Sequence, residues 1–514
     1  MPVIIDQTDR RRERRERRSA EQSNTAYTQP FAKIPPYTLF TEEQIDQVHD
    51  KSMQILEEGG IAFIYEPALE IFRKAGVKVK GDIVYIDREL VKESVEKAPA
   101  TFTWSARNPA HDVQLGGNAV CFAPVVGPPF VTDAEGGRRE GTLHDLENFY
   151  KMTQMSPHLH CATSEMCVPA DIPIIHRHLD TMYANLTLGD KPIMGVYHTG
   201  MTGQDSINMA QIAFGEEAMR QKHYLHCIVN VSSPRRIDDR MLSLLIAYAE
   251  NNQIVNVTPF ILSGAMGPVS ILGTVAQLNA EALSGIVLAQ LINPGNPCVY
   301  GSFQSVVDLQ SGAPVMGAPE SQLALYVSSQ LARRYGIPFR PAGTYSSSKL
   351  IDAQGAYESV MSMFPSLQCQ PNFVLHAAGW LESGLTAGYE KFVLDLEMLG
   401  MFRTFLEGVR WSEEEWAMDE IINQVEPGGH HLGTDHTMRN MKTAFYRAGL
   451  FDYEAGETWI ANGAEDSITR AGRKVKELIG SYEKPPIDAG MEEALREYME
   501  KRKPSISSSS IIWP

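Results

Sequence analysis

The sequence predicts a (β/α)8 barrel with a small N-terminal α+β cap and a helical C-terminal extension. After about residue 117, apolar β-type runs alternate with helical ones, and eight such units occupy roughly 280 residues, close to the usual length of such barrels. The competing doubly wound sheet lacks a GxGxxG after its first strand and a GK[ST] phosphate loop.

Residues 1–36 read as a basic flexible arm, because an Arg-rich polar stretch ending in Pro35-Pro36 cannot bury enough apolar surface to order itself. Residues 37–116 form the cap. Thr41 and Gln44 make a capping box that opens a helix carrying Ile45, Val48, Ile55 and Leu56 on one face, closed at Gly59-Gly60. Shorter helical or extended pieces follow at 69–75, 83–86, 89–97 and 101–104. The barrel spans 117–391, with strands near 119–124, 159–165, 193–198, 224–230, 255–261, 298–303, 339–343 and 373–376. Between them the spacing predicts helices at 143–155, 174–186, 206–220, 241–251, 275–291, 321–335 and 353–363. Residues 392–484 read as a helical extension with a second capping box at Ser412 and Glu415, and 485–514 as a helix and a Ser-rich tail.

Composition narrows the function. In 514 residues, 43% hydrophobic and 21% charged are globular values, which exclude a fibre and global disorder. Forty-six Lys and Arg against 63 Asp and Glu, net -17, make nucleic acid an unsuitable partner. Six cysteines without a CxxC pair write neither a disulfide framework nor a zinc ribbon, and suit a reducing cytoplasm. No membrane span is expected, since even the apolar run 278–292 carries Glu281. The Arg-rich residues 10–18 are not followed by an apolar core, so export is disfavoured and a cytoplasmic location expected. That run is either a tether to a second subunit or acidic partner, or simply a basic tail.

In a barrel, chemistry belongs at the C-terminal strand ends. These ends carry aromatic residues from several strands: Phe130, Tyr197, Phe303, Tyr345 and Trp380. Aromatic faces around one volume hold quaternary ammonium groups through the ring quadrupole. His198 and His376 are placed to orient a carboxylate, and Glu382 lies in the loop after Trp380. No metal is expected: His158 and His160 share one face of their strand while Cys161 points the other way, with Cys167 further on.

Five strings occur in order: Thr132-Asp133 with Arg138-Arg139-Glu140-Gly141-Thr142; Gly317-Ala318-Pro319-Glu320; Ala342-Gly343-Thr344-Tyr345-Ser346-Ser347-Ser348-Lys349 with Asp352-Ala353-Gln354-Gly355-Ala356-Tyr357-Glu358; His376-Ala377-Ala378-Gly379-Trp380-Leu381-Glu382-Ser383-Gly384; and Leu432-Gly433-Thr434-Asp435-His436-Thr437. Their ordered combination resembles the trimethylamine methyltransferase family. The resemblance implies a barrel that moves a methyl group from a methylated amine to the Co(I) of a separate corrinoid protein. Founding members carry pyrrolysine in the region matching residues 343–349, where this chain has only standard residues. It therefore resembles the pyrrolysine-free branch typified by glycine betaine methyltransferase, whose quaternary substrate already leaves as a neutral amine.

No DxHxxG corrinoid signature and no glycine-rich S-adenosylmethionine loop is present, so the chain is expected to bind no cofactor itself, the corrinoid (cobalamin) arriving on a partner protein. Glycine betaine leads as substrate, with carnitine, proline betaine and trimethylamine as alternatives. Tyr197, Phe303, Tyr345 and Trp380 would surround the trimethylammonium head and His376 and His198 the carboxylate; orientation, with no acid or base, would carry catalysis. A quaternary-amine-binding barrel without turnover is the reading from another class. Homo-oligomerisation is left open.

Overall fold

The computed structural model describes residues 27–507; the Arg-rich residues 10–18 and the end of the Ser-rich tail lie outside the described residues. Residues 27–36, grouped by composition with the flexible arm, are held along the body. Tyr27 donates its hydroxyl to the backbone oxygens of His111 and His160. The amides of Ala32 and Lys33 donate to Asn118 and Leu406 oxygens.

The Thr41–Gln44 capping box forms and opens the helix Glu42–Gln54. Helices Glu66–Lys74 and Arg88–Lys97 accompany a small sheet in which Ile61–Phe63 pairs antiparallel with Ile83–Tyr85 and parallel with Arg236–Ile237. All three helices pack on Ile271–Ile292. That 22-residue helix begins before the apolar run read from sequence and is long and apolar enough to cross a bilayer (mean hydropathy 1.4), but 83% of its apolar window is buried inside the protein. Its Glu281 accepts hydrogen bonds from the Ser233 hydroxyl, the Arg235 amide and Gln277, which offsets the cost of burying it.

The closed eight-stranded barrel is not what forms. The strands are β1 (Cys121–Phe122), β2 (Ile193–Met194), β3 (Leu225–Val231), β4 (Ile254–Ser263), β5 (Cys298–Gly301), β6 (Phe339–Arg340) and β7 (Phe373–Val374). β2 to β6 make one open, curled parallel sheet of five strands. β1 pairs only with β7, and residues 159–165 contribute only an isolated bridge, Ala162 to Ile193.

At both breaks a buried side chain takes hydrogen bonds that a ladder would use. The Phe122 amide donates to His160 Nδ1 (3.0 Å), and the Phe339 amide to Asn372 Oδ1 (2.9 Å). Pro124, Pro192, Pro341 and Pro371 remove further donors there. Isolated backbone bonds cross the gaps, His160 to Phe122 and Gly127 to Glu165 at one, Asn372 to Phe339 and Thr344 to His376 at the other. Residues after several strands therefore still converge on one volume.

Two smaller sheets cover the ends. The hairpin Phe130–Asp133 and Gly137–Glu140 joins Thr386–Gly388 and Trp380–Leu381 beside the strands' C-terminal ends. At the other end Thr101–Trp104 pairs with Val113–Gly116, and Trp104 is buried between His226 and Phe373. Beyond, helix Tyr389–Leu406 leads into residues 407–466, which hold only short helices, before Ser467–Gly480 packs back on it.

Candidate active site

Just past β5, β6 and β7 the chain places Phe303, Tyr345, His376 and Trp380 together. Phe303 stacks on Tyr345 with centroids 4.8 Å apart. Trp380 lies 4.9 Å from Tyr345 and 4.4 Å from His376, edge to face. Phe303 is 6.1 Å from Trp380. Tyr345, His376 and Trp380 are buried; Trp380 Nε1 has no partner among the described residues, and Tyr345 OH faces the Arg340 guanidinium without a well-aligned hydrogen bond. Buried Tyr and Trp normally find a well-made bond, so the indole N–H is available to a ligand and the Tyr345 hydroxyl adds a polar edge beside Arg340.

Local backbone chemistry sets the rings. Phe303 pairs with Phe260 at the end of β4, and their rings touch at 4.5 Å. Trp380 begins the short strand Trp380–Leu381, and Gly384, at φ +93°, turns the chain over its indole. A Cβ at 384 would stand 2.6 Å from Cζ2 and Cη2, so only glycine fits.

His376 itself has φ +61°, a left-handed conformation that costs a non-glycine residue energy and is held by Thr344, whose amide and hydroxyl both donate to the His376 oxygen. The Val126 amide donates to His376 Nδ1, which assigns the ring proton to Nε2. Burial, reinforced by the Arg340 guanidinium, holds this imidazole well below its ordinary pKa, so it is neutral.

Arg340, which sequence reasoning missed, lies at the base of the ring cluster. It is 1% exposed. Its guanidinium carbon is 5.2 Å from the Phe303 centroid and its Nη1 is 3.4 Å from the Ser302 oxygen, while Nε has no partner. Among the described residues no carboxylate lies within ion-pair distance of it. Its charge is felt by Tyr197, His226, Tyr345 and His376. A buried cation without a counter-charge is costly, which makes this a place for an anionic ligand group. A lone Arg inside an otherwise apolar strand was the signal that could have found it.

The other expected site residues stand outside the cluster. His198 Nε2 is 2.7 Å from Glu165 Oε2. Burial raises the Glu165 carboxyl, but His198 outweighs it and leaves the pKa lowered; burial lowers His198, and Glu165 reverses that. The pair is charged and His198 is committed to Glu165, whose second oxygen, Oε1, is buried without a hydrogen-bond partner among the described residues. Tyr197 makes no ring contact with the cluster but packs on the interior residues that include Val126, its hydroxyl beside Gly127. Glu382 accepts from Arg138 (2.8 Å) and Thr386 (2.6 Å), and the Arg138 guanidinium covers Phe130. Glu382 and Phe130 therefore brace the covering sheet.

A small cavity beside Tyr345, about 10 Å³, is lined by Ser302, Gln304, Ser321 and Gln322. The hydroxyls of both serines and the Oε1 of both glutamines have no partner there, and the volume suits one water-sized polar group. Among the described residues no group of three or more His, Cys, Asp or Glu is arranged to hold a metal ion. His160 Nδ1 instead faces the Phe122 amide.

The family described as trimethylamine methyltransferase matches residues 7–507. A glycine betaine methyltransferase of Desulfitobacterium hafniense (strain Y51) is 40% identical over 470 residues, covering 91% of this chain and 98% of that protein. A proline betaine:corrinoid methyltransferase of Eubacterium limosum is 28% identical over 473 residues, covering 88% and 96%. The crystal structure of the Methanosarcina barkeri monomethylamine methyltransferase superposes with a TM-score of 0.50 at 9% identity, covering 91% of this chain and 92% of that one, a likeness of fold. The chain belongs to the trimethylamine methyltransferase family and is a methyltransferase.

Proposed function

We propose that this member of the trimethylamine methyltransferase family demethylates a carboxylated quaternary amine, glycine betaine first among them, and passes the methyl group to a corrinoid carried by a separate protein. The observation that carries the reading is the pairing of an aromatic cluster with one buried, uncompensated guanidinium. A zwitterion fits both: the rings of Phe303, Tyr345 and Trp380 face the trimethylammonium, and Arg340 with His376 Nε2–H takes the carboxylate. A trimethylamine molecule would leave Arg340 without a counter-charge.

The partner's Co(I) supplies the nucleophile. This chain's part is orientation, because the anchor at the base points the ammonium methyls toward the C-terminal ends of the strands. Once one methyl has left, the nitrogen is neutral and the rings no longer hold it as a cation, which favours release. The rings pack on one another at 4.4–4.9 Å. A cation needs a ring on each side at up to about 6 Å, so binding separates them.

The test is reconstitution with a Co(I) corrinoid protein, following Co(I) absorbance and dimethylglycine with glycine betaine, choline and trimethylamine as donors. Turnover of glycine betaine well above choline supports the reading; equal turnover of choline or trimethylamine overturns it.

A further inference from the structure

Near its start, helix Tyr389–Leu406 carries a buried ion pair. Lys391 and Asp395 are one turn apart and almost fully enclosed, the ammonium lying 2.5 and 2.6 Å from the two carboxylate oxygens. Such a pair is a poor device for stability, because the cost of desolvating two charges offsets their attraction and apolar residues of similar volume do as well or better. What the carboxylate accepts gives it another use.

Asp395 Oδ2 takes the Gly379 amide at 2.8 Å and the Thr344 hydroxyl at 3.2 Å. Gly379 is the residue before Trp380, and Thr344 the residue before Tyr345. Thr344 also donates its amide (2.9 Å) and its hydroxyl (3.0 Å) to the His376 oxygen, so the one hydroxyl proton is shared between Asp395 and His376. This is the contact that holds His376 at φ +61°. One carboxylate therefore ties together the loops after β6 and β7, which carry Tyr345, His376 and Trp380. The two loops also meet backbone to backbone: a Cβ at Gly343 would stand 2.2 Å from the Leu375 oxygen and 2.3 Å from the His376 oxygen. Lys391, by engaging both carboxylate oxygens, fixes the rotation of the acceptor.

Given the reading that His376 and Trp380 hold the substrate, we propose that Asp395, held by Lys391, is a positioning residue for the methyl transfer. It sets the loop of His376 against the loop of Trp380, so that the bound amine presents a methyl in line with the incoming nucleophile. One residue intervenes on each path, Thr344 toward His376 and Gly379 toward Trp380. Orientation is steep in its effect, since a displacement of about 1 Å caused by a change remote from the chemistry can cost about 100-fold in rate.

The experiment compares K391M/D395L, which keeps buried volume and removes the acceptor, with K391Q/D395N, which keeps an acceptor oxygen for Gly379 and Thr344 in an uncharged pair. Thr344→Val cuts only the hydroxyl link to His376. Urea unfolding checks that each variant folds, and turnover of glycine betaine with a Co(I) corrinoid protein gives kcat and KM. K391M/D395L should lose about 100-fold in kcat and Thr344→Val about tenfold, while K391Q/D395N stays within about threefold of the parent. KM should move less than kcat in all three. Parental kcat in folded K391M/D395L or in Thr344→Val overturns the proposal. So does an equal loss in both double variants, because the charge and not the acceptor would then matter. If K391M/D395L does not fold, Thr344→Val and K391Q/D395N decide by the same criteria. A parent that turns over choline or trimethylamine as fast as glycine betaine refutes the substrate reading instead, and the variants are then compared on the donor it prefers.

Discussion

Replacing Arg340 by Met removes the charge and every N–H donor while keeping an unbranched apolar side chain. The guanidinium is 1% exposed, so a carboxylate that meets it is desolvated together with it. Truncating one member of a buried, hydrogen-bonded charge pair costs about 2–5 kcal/mol, which is roughly a 30- to 4,000-fold rise in Kd for glycine betaine. Choline has the same trimethylammonium and no carboxylate; relieved of a nearby cation, it should bind equally well or more tightly. The ligand-free variant should be more stable than the parent, by about 1–4 kcal/mol, because an uncompensated buried charge gives way to apolar volume. Isothermal titration with both ligands and urea unfolding of the ligand-free protein read the two signs independently. If both ligands weaken alike, or the ligand-free variant loses stability, Arg340 is a structural residue and the anchoring argument fails.

Trp380→Leu and Tyr345→Leu should each weaken glycine betaine roughly tenfold, since the quadrupole is lost while apolar volume stays, near 1.4 kcal/mol per ring; unchanged Kd in titration would place the cation elsewhere. His198→Ala leaves the Glu165 carboxylate buried and alone, and should cost about 3–5 kcal/mol in chemical denaturation, largely recovered by pairing it with Glu165→Gln; a cost that the second change does not recover would speak against an ion pair. Acid should destabilise the fold through its neutral buried histidines. His158 is held down to about 4 and His226 to about 3, chiefly by burial. For these depressed groups the unfolded chain binds more protons below its own value near 6.5, so stability is full above that pH and declines as pH falls, His158 alone removing about 3 kcal/mol by pH 4. Urea midpoints flat from pH 7 to 4.5 would contradict this.

The sequence by itself determined most of the local elements and brought several residues of the candidate site to notice. Alternating β and helical runs, capping chemistry and turn residues are local, so the Thr41–Gln44 box and most helices in the βα region appear close to where their spacing predicts them. The family strings bring Tyr345, His376 and Trp380 to notice because they are short runs that keep their order along the chain. Closure of the sheet was decided only in three dimensions. Whether residues 159–165 or 373–376 complete a ladder depends on competition between backbone partners and the side chains of His160 and Asn372, and those partners lie far away in sequence.

The same holds for roles within the site. His198, Glu382 and Tyr197 are the right residue types at strand ends, but Glu165 and Arg138 engage the first two, and the third packs on the interior cluster that includes Val126. Arg340 shows the converse. Its type and position were in plain view, and its meaning lay in the absence of any carboxylate around it among the described residues. Residue identity and periodicity are properties of neighbours along the chain; whether a buried charge is compensated is a property of neighbours in space, and only the tertiary structure assembles those.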